Sequence, residues 1–116
     1  MKQILFSISL IILVSISSCN NGCDNENPRA RIINNGTDDA SVQIKTSGGN
    51  TENINNIVSG QTSEWRSFAA GNTEFTVTVQ GVQADTLVAV DLVLCWEYDI
   101  IIDANNQVTS SPIERD

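Results

Sequence analysis

The carboxylates of Glu97 and Asp99, two positions apart, are the arrangement in this chain closest to a reactive one. Side chains two apart on a strand share a face, and two carboxylates on one face are the equipment of glycoside hydrolysis. The same alternation describes the solvated face of a half-buried strand. That is the stronger reading, because the other parts of a catalytic site are missing. The chain has no histidine, so the commonest general base and metal ligand is absent. Its serines are numerous, but none lies in a Gly-x-Ser-x-Gly elbow. Cys95 ends an apolar run, a poor setting for a nucleophilic thiolate. We therefore expect no enzyme and no cofactor.

Binding chemistry has three candidates. Calcium is held by loop oxygens in many acidic exported sandwiches, and Asp38 with Asp39 in one turn and Asp103 in another are the weak candidates here. Neither turn has EF-hand spacing, and turns favour Asp for their own reasons, so no metal is expected. Trp65, Trp96 and Tyr98 are the large aromatics a glycan-stacking platform would need. Each falls in phase with its segment's apolar residues, so core packing is expected instead. Asp85-Thr86-Leu87 is similar to the acceptor tripeptide for O-glycosylation of exported bacterial proteins, with Thr86 as the modified residue. Asn35-Gly36-Thr37 has the form of an N-glycosylation acceptor and reads as a turn.

The elements that carry these residues are short strands separated by turn residues. They are predicted at Arg29–Asn34, Ala40–Thr46, Glu52–Val58, Ser63–Phe68 with Trp65, Glu74–Gln80, Thr86–Cys95, Trp96–Asp103 and a short Gln107–Ser110. The alternation of Phe75, Val77 and Val79 with Thr76, Thr78 and Gln80 is the clearest half-buried strand. In the seventh segment Trp96, Tyr98, Ile100 and Ile102 oppose Glu97, Asp99 and Asp103. In the sixth, Val88, Val90, Leu92 and Leu94 share a face. No stretch after residue 19 sustains a helical period. Seven or eight short strands in under 100 residues indicate an all-β fold, a small β-sandwich. The stretch Arg31–Val79 resembles immunoglobulin- or transthyretin-like domains of bacterial surface lipoproteins. The features that carry this are the opening Arg-Ile-Ile-Asn-Asn, the step from Gly60 to Trp65, and Ala-Gly-Asn-Thr-Glu-Phe-Thr-Val-Thr-Val at Ala70–Val79. The resemblance implies a fold and no activity, because this architecture hosts unrelated functions.

Ahead of these strands, Met1-Lys2-Gln3 is a short basic head, Ile4–Val14 is an apolar run, and Ser15–Ser18 is rich in small residues. The apolar run lies within the roughly 7–15 residues of an export signal and falls short of the about 20 needed to span a bilayer. Ile16-Ser17-Ser18-Cys19 resembles the lipobox of bacterial lipoproteins. The resemblance implies a helical signal peptide over residues 1–18, cleavage between Ser18 and Cys19, and diacylglycerol on the Cys19 sulfur with acylation, commonly palmitate, of the new amino terminus. With Cys19 so used, Cys23 and Cys95 remain as an even pair in an exported protein, where a disulfide can form and persist. Residues 19–28 then read as a polar tether and residues 29–116 as the sandwich. Asn20, unlike the aspartate that commonly retains lipoproteins at the inner membrane, points to outer-membrane delivery, on either the periplasmic or the cell-surface face. Asp24 and Glu26 weakly resemble the acidic tags of surface lipoproteins.

Charge narrows the partners. Loss of residues 1–18 removes Lys2 alone among the charged residues, taking the net charge from −8 to −9 over the remaining 98 residues. Arg29, Arg31, Lys45, Arg66 and Arg115 are scattered along the chain, whereas phosphate neutralisation needs clustered cations. Nucleic acid is not an expected partner. The expected function is a lipid-anchored envelope module for display or interaction. A glycan- or peptide-binding lipoprotein is the alternative, and a carboxylate-based hydrolase comes third.

Overall fold

A computed structural model describes residues 23–115, so the export segment, the Ser18–Cys19 cleavage point and the lipidated Cys19 lie outside the described residues. The described chain is an all-β sandwich of eight strands. They are β1 (Arg29–Asn34), β2 (Ala40–Lys45), β3 (Thr51–Ile57), β4 (Arg66–Ser67), β5 (Gly71–Val79), β6 (Thr86–Leu92), β7 (Trp96–Ile102) and β8 (Val108–Glu114). One sheet has the order β4-β1-β7-β8 and the other β3-β2-β5-β6. All pairings are antiparallel except that of β1 with β7, which runs parallel from Arg29↔Glu97 to Asn34↔Ile102.

Alternation builds the core. Ala30 and Ile32 of β1, Val42 and Ile44 of β2, Phe75 and Val77 of β5, Val90 and Leu92 of β6, and Tyr98, Ile100 and Ile102 of β7 are all buried. Every second residue therefore faces the opposite sheet, as one dry face per strand requires. Phe68, between β4 and β5, closes the core edge-on against Phe75 at 6.3 Å between ring centroids. The antiparallel register sorts the turns into two poles. Leu92 opposite Gly71 lies at the pole that also holds Cys23, Cys95 and Arg115. Ala40 opposite Val79 lies at the other, with the β1–β2 and β7–β8 turns.

Four segments differ from expectation. The predicted Ser63–Phe68 strand contracts to Arg66–Ser67, and the residue it sends into the core is Phe68, not Trp65. The sixth strand stops at Leu92. Leu94 enters a turn and is exposed, because Cys95 adopts a left-handed φ of 69° that no strand continues through. β3 buries Ile54 and Ile57, three apart, because one extra residue bulges where Val42↔Ile54 gives way to Ala40↔Ile57. Asn56 takes up the bulge at φ 60°, a conformation asparagine tolerates. Finally, β8 runs seven residues to Glu114. Its Pro112 lies opposite Tyr98, while the Arg115 N–H reaches the Cys95 carbonyl. That parity turns position 112 toward the open edge, where proline removes a donor from an unpaired strand.

Candidate functional site

Three places bring chemistry-bearing residues together. The first is the pole where the chain enters the domain. Cys23 and Cys95, 72 residues apart, are joined by a disulfide with their Cα atoms 5.8 Å apart, within the range such a bond requires. The Cys95 N–H donates to the Glu26 carbonyl at 2.9 Å, and the Cys95 carbonyl accepts from the Arg115 N–H at 2.9 Å. The Arg115 guanidinium holds the Glu26 carboxylate at 2.6 Å and approaches Glu97 at 3.4 Å. Pro28 is fully buried, and its carbonyl accepts from the Phe68 N–H. Residues 23–28, read as part of a polar tether, are thus fastened to the sandwich at its first, fourth and last positions. Tyr98 secures the same turn from inside: its buried hydroxyl accepts from the Val93 N–H at 2.9 Å.

The second place is the outer face of the β4-β1-β7-β8 sheet. Arg29 and Arg31 project outward from β1 and meet Glu97 and Asp99 of β7 in parallel register. Arg29 Nε donates to Glu97 at 2.8 Å and Arg31 Nε to Asp99 at 2.8 Å. The carboxylates are 16% and 14% exposed. They are neither a solvated face nor free to act as an acid–base pair, since each is occupied by a guanidinium. Trp65 lies over the two arginines, its ring centroid 4.3 Å from the Arg31 guanidinium carbon and 5.1 Å from that of Arg29. It covers an ionic ladder instead of entering the core. Trp96 packs against the core from its margin, and Tyr98 is buried. The three aromatics therefore do not form one platform.

The third place is an open groove of about 250 Å³ along β3, between Asn55 and Asn56 on one side and Gln61, Ser63, Glu64 and Arg66 on the other. Its lining is amide, hydroxyl and charge over the apolar floor of Ile54 and Ile57. It is slightly smaller than the pockets that enclose drug-sized ligands, and polar where those are apolar.

The remaining sequence candidates are placed as follows. One Asp103 carboxylate oxygen accepts the N–H groups of Asn105 and Gln107 within its own turn. Asp38 contributes its carbonyl to the Asn34 amide and Asp39 its carbonyl to Gln80. Asn106 bridges the two turns through Thr37. Among the described residues no three His, Cys, Asp or Glu side chains group as a metal would need. Thr86 is half-buried at the start of β6, opposite Val77, with Leu87 exposed beside it. The Asp85 carboxylate accepts from the Thr78 hydroxyl.

The sequence reading missed the roles of Arg29 and Arg31. Arg-Ala-Arg and Glu-Tyr-Asp are complementary outward pairs with identical spacing, and that signal becomes readable once β1 is known to lie parallel to β7. No family model matches the chain, and no curated protein matches it either.

Proposed function

We propose that this chain is the precursor of a bacterial lipoprotein whose mature form, beginning at Cys19, displays a non-catalytic interaction domain from the outer membrane. The observation that carries this reading is the Cys23–Cys95 bond. It is a bond suited to an oxidising compartment, and it uses both cysteines that the lipobox leaves over. The occupied carboxylates of Glu97 and Asp99 weigh against a hydrolase on this face. Of the two sandwich families the sequence resembles, the strand orders favour the transthyretin-like one. Immunoglobulin constant domains place four strands against three, whereas here four face four, with the first and seventh strands parallel. Fatty-acid labelling of cells expressing wild type and Cys19→Ala tests the anchor. Label in the wild type alone supports it, and equal labelling of both contradicts it. Crosslinking in intact cells then identifies what the domain contacts.

A second reading, glycan binding, is favoured by the groove along β3. Its asparagine, glutamine and serine side chains beside Glu64 and Arg66 offer the donors and acceptors that sugar hydroxyls take. Asn55→Ala with Arg66→Ala abolishes retention on immobilised cell-envelope glycan if this reading holds, and leaves retention unchanged if it does not.

A further inference from the structure

The turn between β6 and β7 carries two neighbouring apolar side chains, Val93 and Leu94, that are 47% and 39% exposed. The core does not use them: although Leu94 continues the alternation of β6, the strand ends at Leu92, and the turn needs only that Cys95 take its left-handed conformation while the Trp96 N–H reaches the Val93 carbonyl. The neighbouring half-buried Trp96 packs against the core. Cys95 itself is bonded to Cys23, which lies four residues after Cys19. Four residues extend at most about 14 Å. The disulfide adds 5.8 Å between Cα atoms. If Cys19 carries the lipid, Cys95 is therefore held within about 20 Å of the acylated residue and the adjoining Val93–Leu94 turn within about 27 Å, and the acylated residue itself sits at the bilayer surface.

We propose that the Val93–Leu94 turn is a membrane-contact site that seats the sandwich on the bilayer interface, with the disulfide setting its orientation; this rests on the lipoprotein reading above. The occupant is a lipid surface, and the chain length that joins the turn to the anchor selects it. Apolar side chains beside an amphipathic tryptophan suit the headgroup–acyl boundary. Glu26 and Glu114 lie beside the turn, with Arg115 paired to Glu26, a balance that favours zwitterionic over anionic headgroups. The β1–β2, β5–β6 and β7–β8 turns then face away from the membrane. Strand β5, nine residues long, separates the two poles by about 27 Å.

The test uses the full acylated protein, purified from cells and reconstituted into phosphatidylcholine vesicles whose acyl chains carry bromine, a short-range quencher of tryptophan. Leu94→Trp and Val93→Trp each add a fluorophore at the proposed contact. Val82→Trp adds one at the opposite pole, where Val82 is also exposed. Intact mass establishes acylation first, formation of the disulfide checks the fold of each tryptophan variant, and the β-sheet circular dichroism spectrum checks that of the variant lacking both cysteines. The expected result is at least a twofold loss of the added emission for Leu94→Trp and Val93→Trp and none for Val82→Trp. Replacing both Cys23 and Cys95 by serine is expected to reduce that loss. Acylated protein with no quenching at either turn position, or with equal quenching at position 82, overturns the contact site and leaves the lipoprotein reading standing. Protein without acyl mass overturns both.

Discussion

The two poles of the sandwich are held by different chemistry. At the entry pole, Cys23, Glu26 and Pro28 are fixed by a disulfide, by Arg115 and by backbone hydrogen bonds from Cys95 and Phe68. At the far pole nothing is covalent. The buried Asn34 amide donates to the Asp38 and Ile57 carbonyls and accepts from the Gly36 N–H, and Asn106 ties the β7–β8 turn to Thr37. The difference teaches that the two ends of one sandwich are stabilised through different states, one through the unfolded chain and one through the folded. The pole where the chain enters the domain is held by a disulfide that constrains the unfolded chain as well. The far pole is kept in shape by hydrogen bonds between its own turns and strand ends, from Asn34 to Asp38 and Ile57 and from Asn106 to Thr37.

Breaking the entry pole has the largest expected effect. Replacing both Cys23 and Cys95 with serine removes a cross-link closing a loop of 72 residues, which stabilises by about 4 kcal/mol in the chain-entropy model. Thermal unfolding is expected to show a Tm lower by roughly 15–30 °C. On the lipoprotein reading proposed above, lipidation is expected to stay intact in this variant, because an export signal and Cys19 would act before the domain folds. A shift under about 5 °C would mean that the entry pole is held by Arg115 and the backbone bonds alone.

Asn34→Ala breaks the far pole. It leaves the buried Ile57 carbonyl and the buried Gly36 N–H without their partner, and the Asp38 carbonyl at an exposed residue without its bond; each orphaned group costs about 1–3 kcal/mol where water cannot reach it. A loss of about 3 kcal/mol in urea unfolding is expected, with the disulfide still formed. Gly36→Ala acts on the same turn through shape: a Cβ there would lie 2.5 Å from the Asn106 oxygen and 3.0 Å from Ile102. The expected cost is about 1–3 kcal/mol, read in the same unfolding experiment.

The outer ladder should respond least. A double-mutant cycle of Arg31→Ala with Trp65→Ala is expected to give a coupling of about 0.5–1 kcal/mol, the value of an exposed cation–π contact. The Arg31–Asp99 pair, on groups with partial solvent access, is expected to give a similar coupling that falls as salt rises. Zero coupling in both cycles would reduce the ladder to a geometric coincidence.

Much of this was legible in the residues, and what was not has identifiable physical causes. The alternation along β1, β2, β5 and β7 places one apolar set per strand, so the sandwich and most of its core follow from period alone. β3 was harder, since its two buried isoleucines are three apart and only the bulge reconciles them with a strand. Trp65 was misplaced because a large aromatic in a short strand-like segment looks like core. Its true surroundings, Arg29 and Arg31, lie over thirty residues away in sequence. Leu94 continues the pattern of Val90 and Leu92 in the sequence, and the left-handed turn at Cys95 interrupts it without any local signal. The groove along β3 draws residues from separate segments, and one-dimensional spacing cannot anticipate it.

On the proposed reading the cysteines divide their work, Cys19 for the lipid and Cys23 with Cys95 for the fold. Non-reducing peptide mapping of protein taken directly from cell envelopes measures both in one experiment. The account predicts an N-terminal peptide beginning at Cys19 that carries acyl mass and is disulfide-linked through Cys23 to the peptide containing Cys95. An unacylated Cys19 still preceded by residues 1–18, together with free thiols at Cys23 and Cys95, would contradict it.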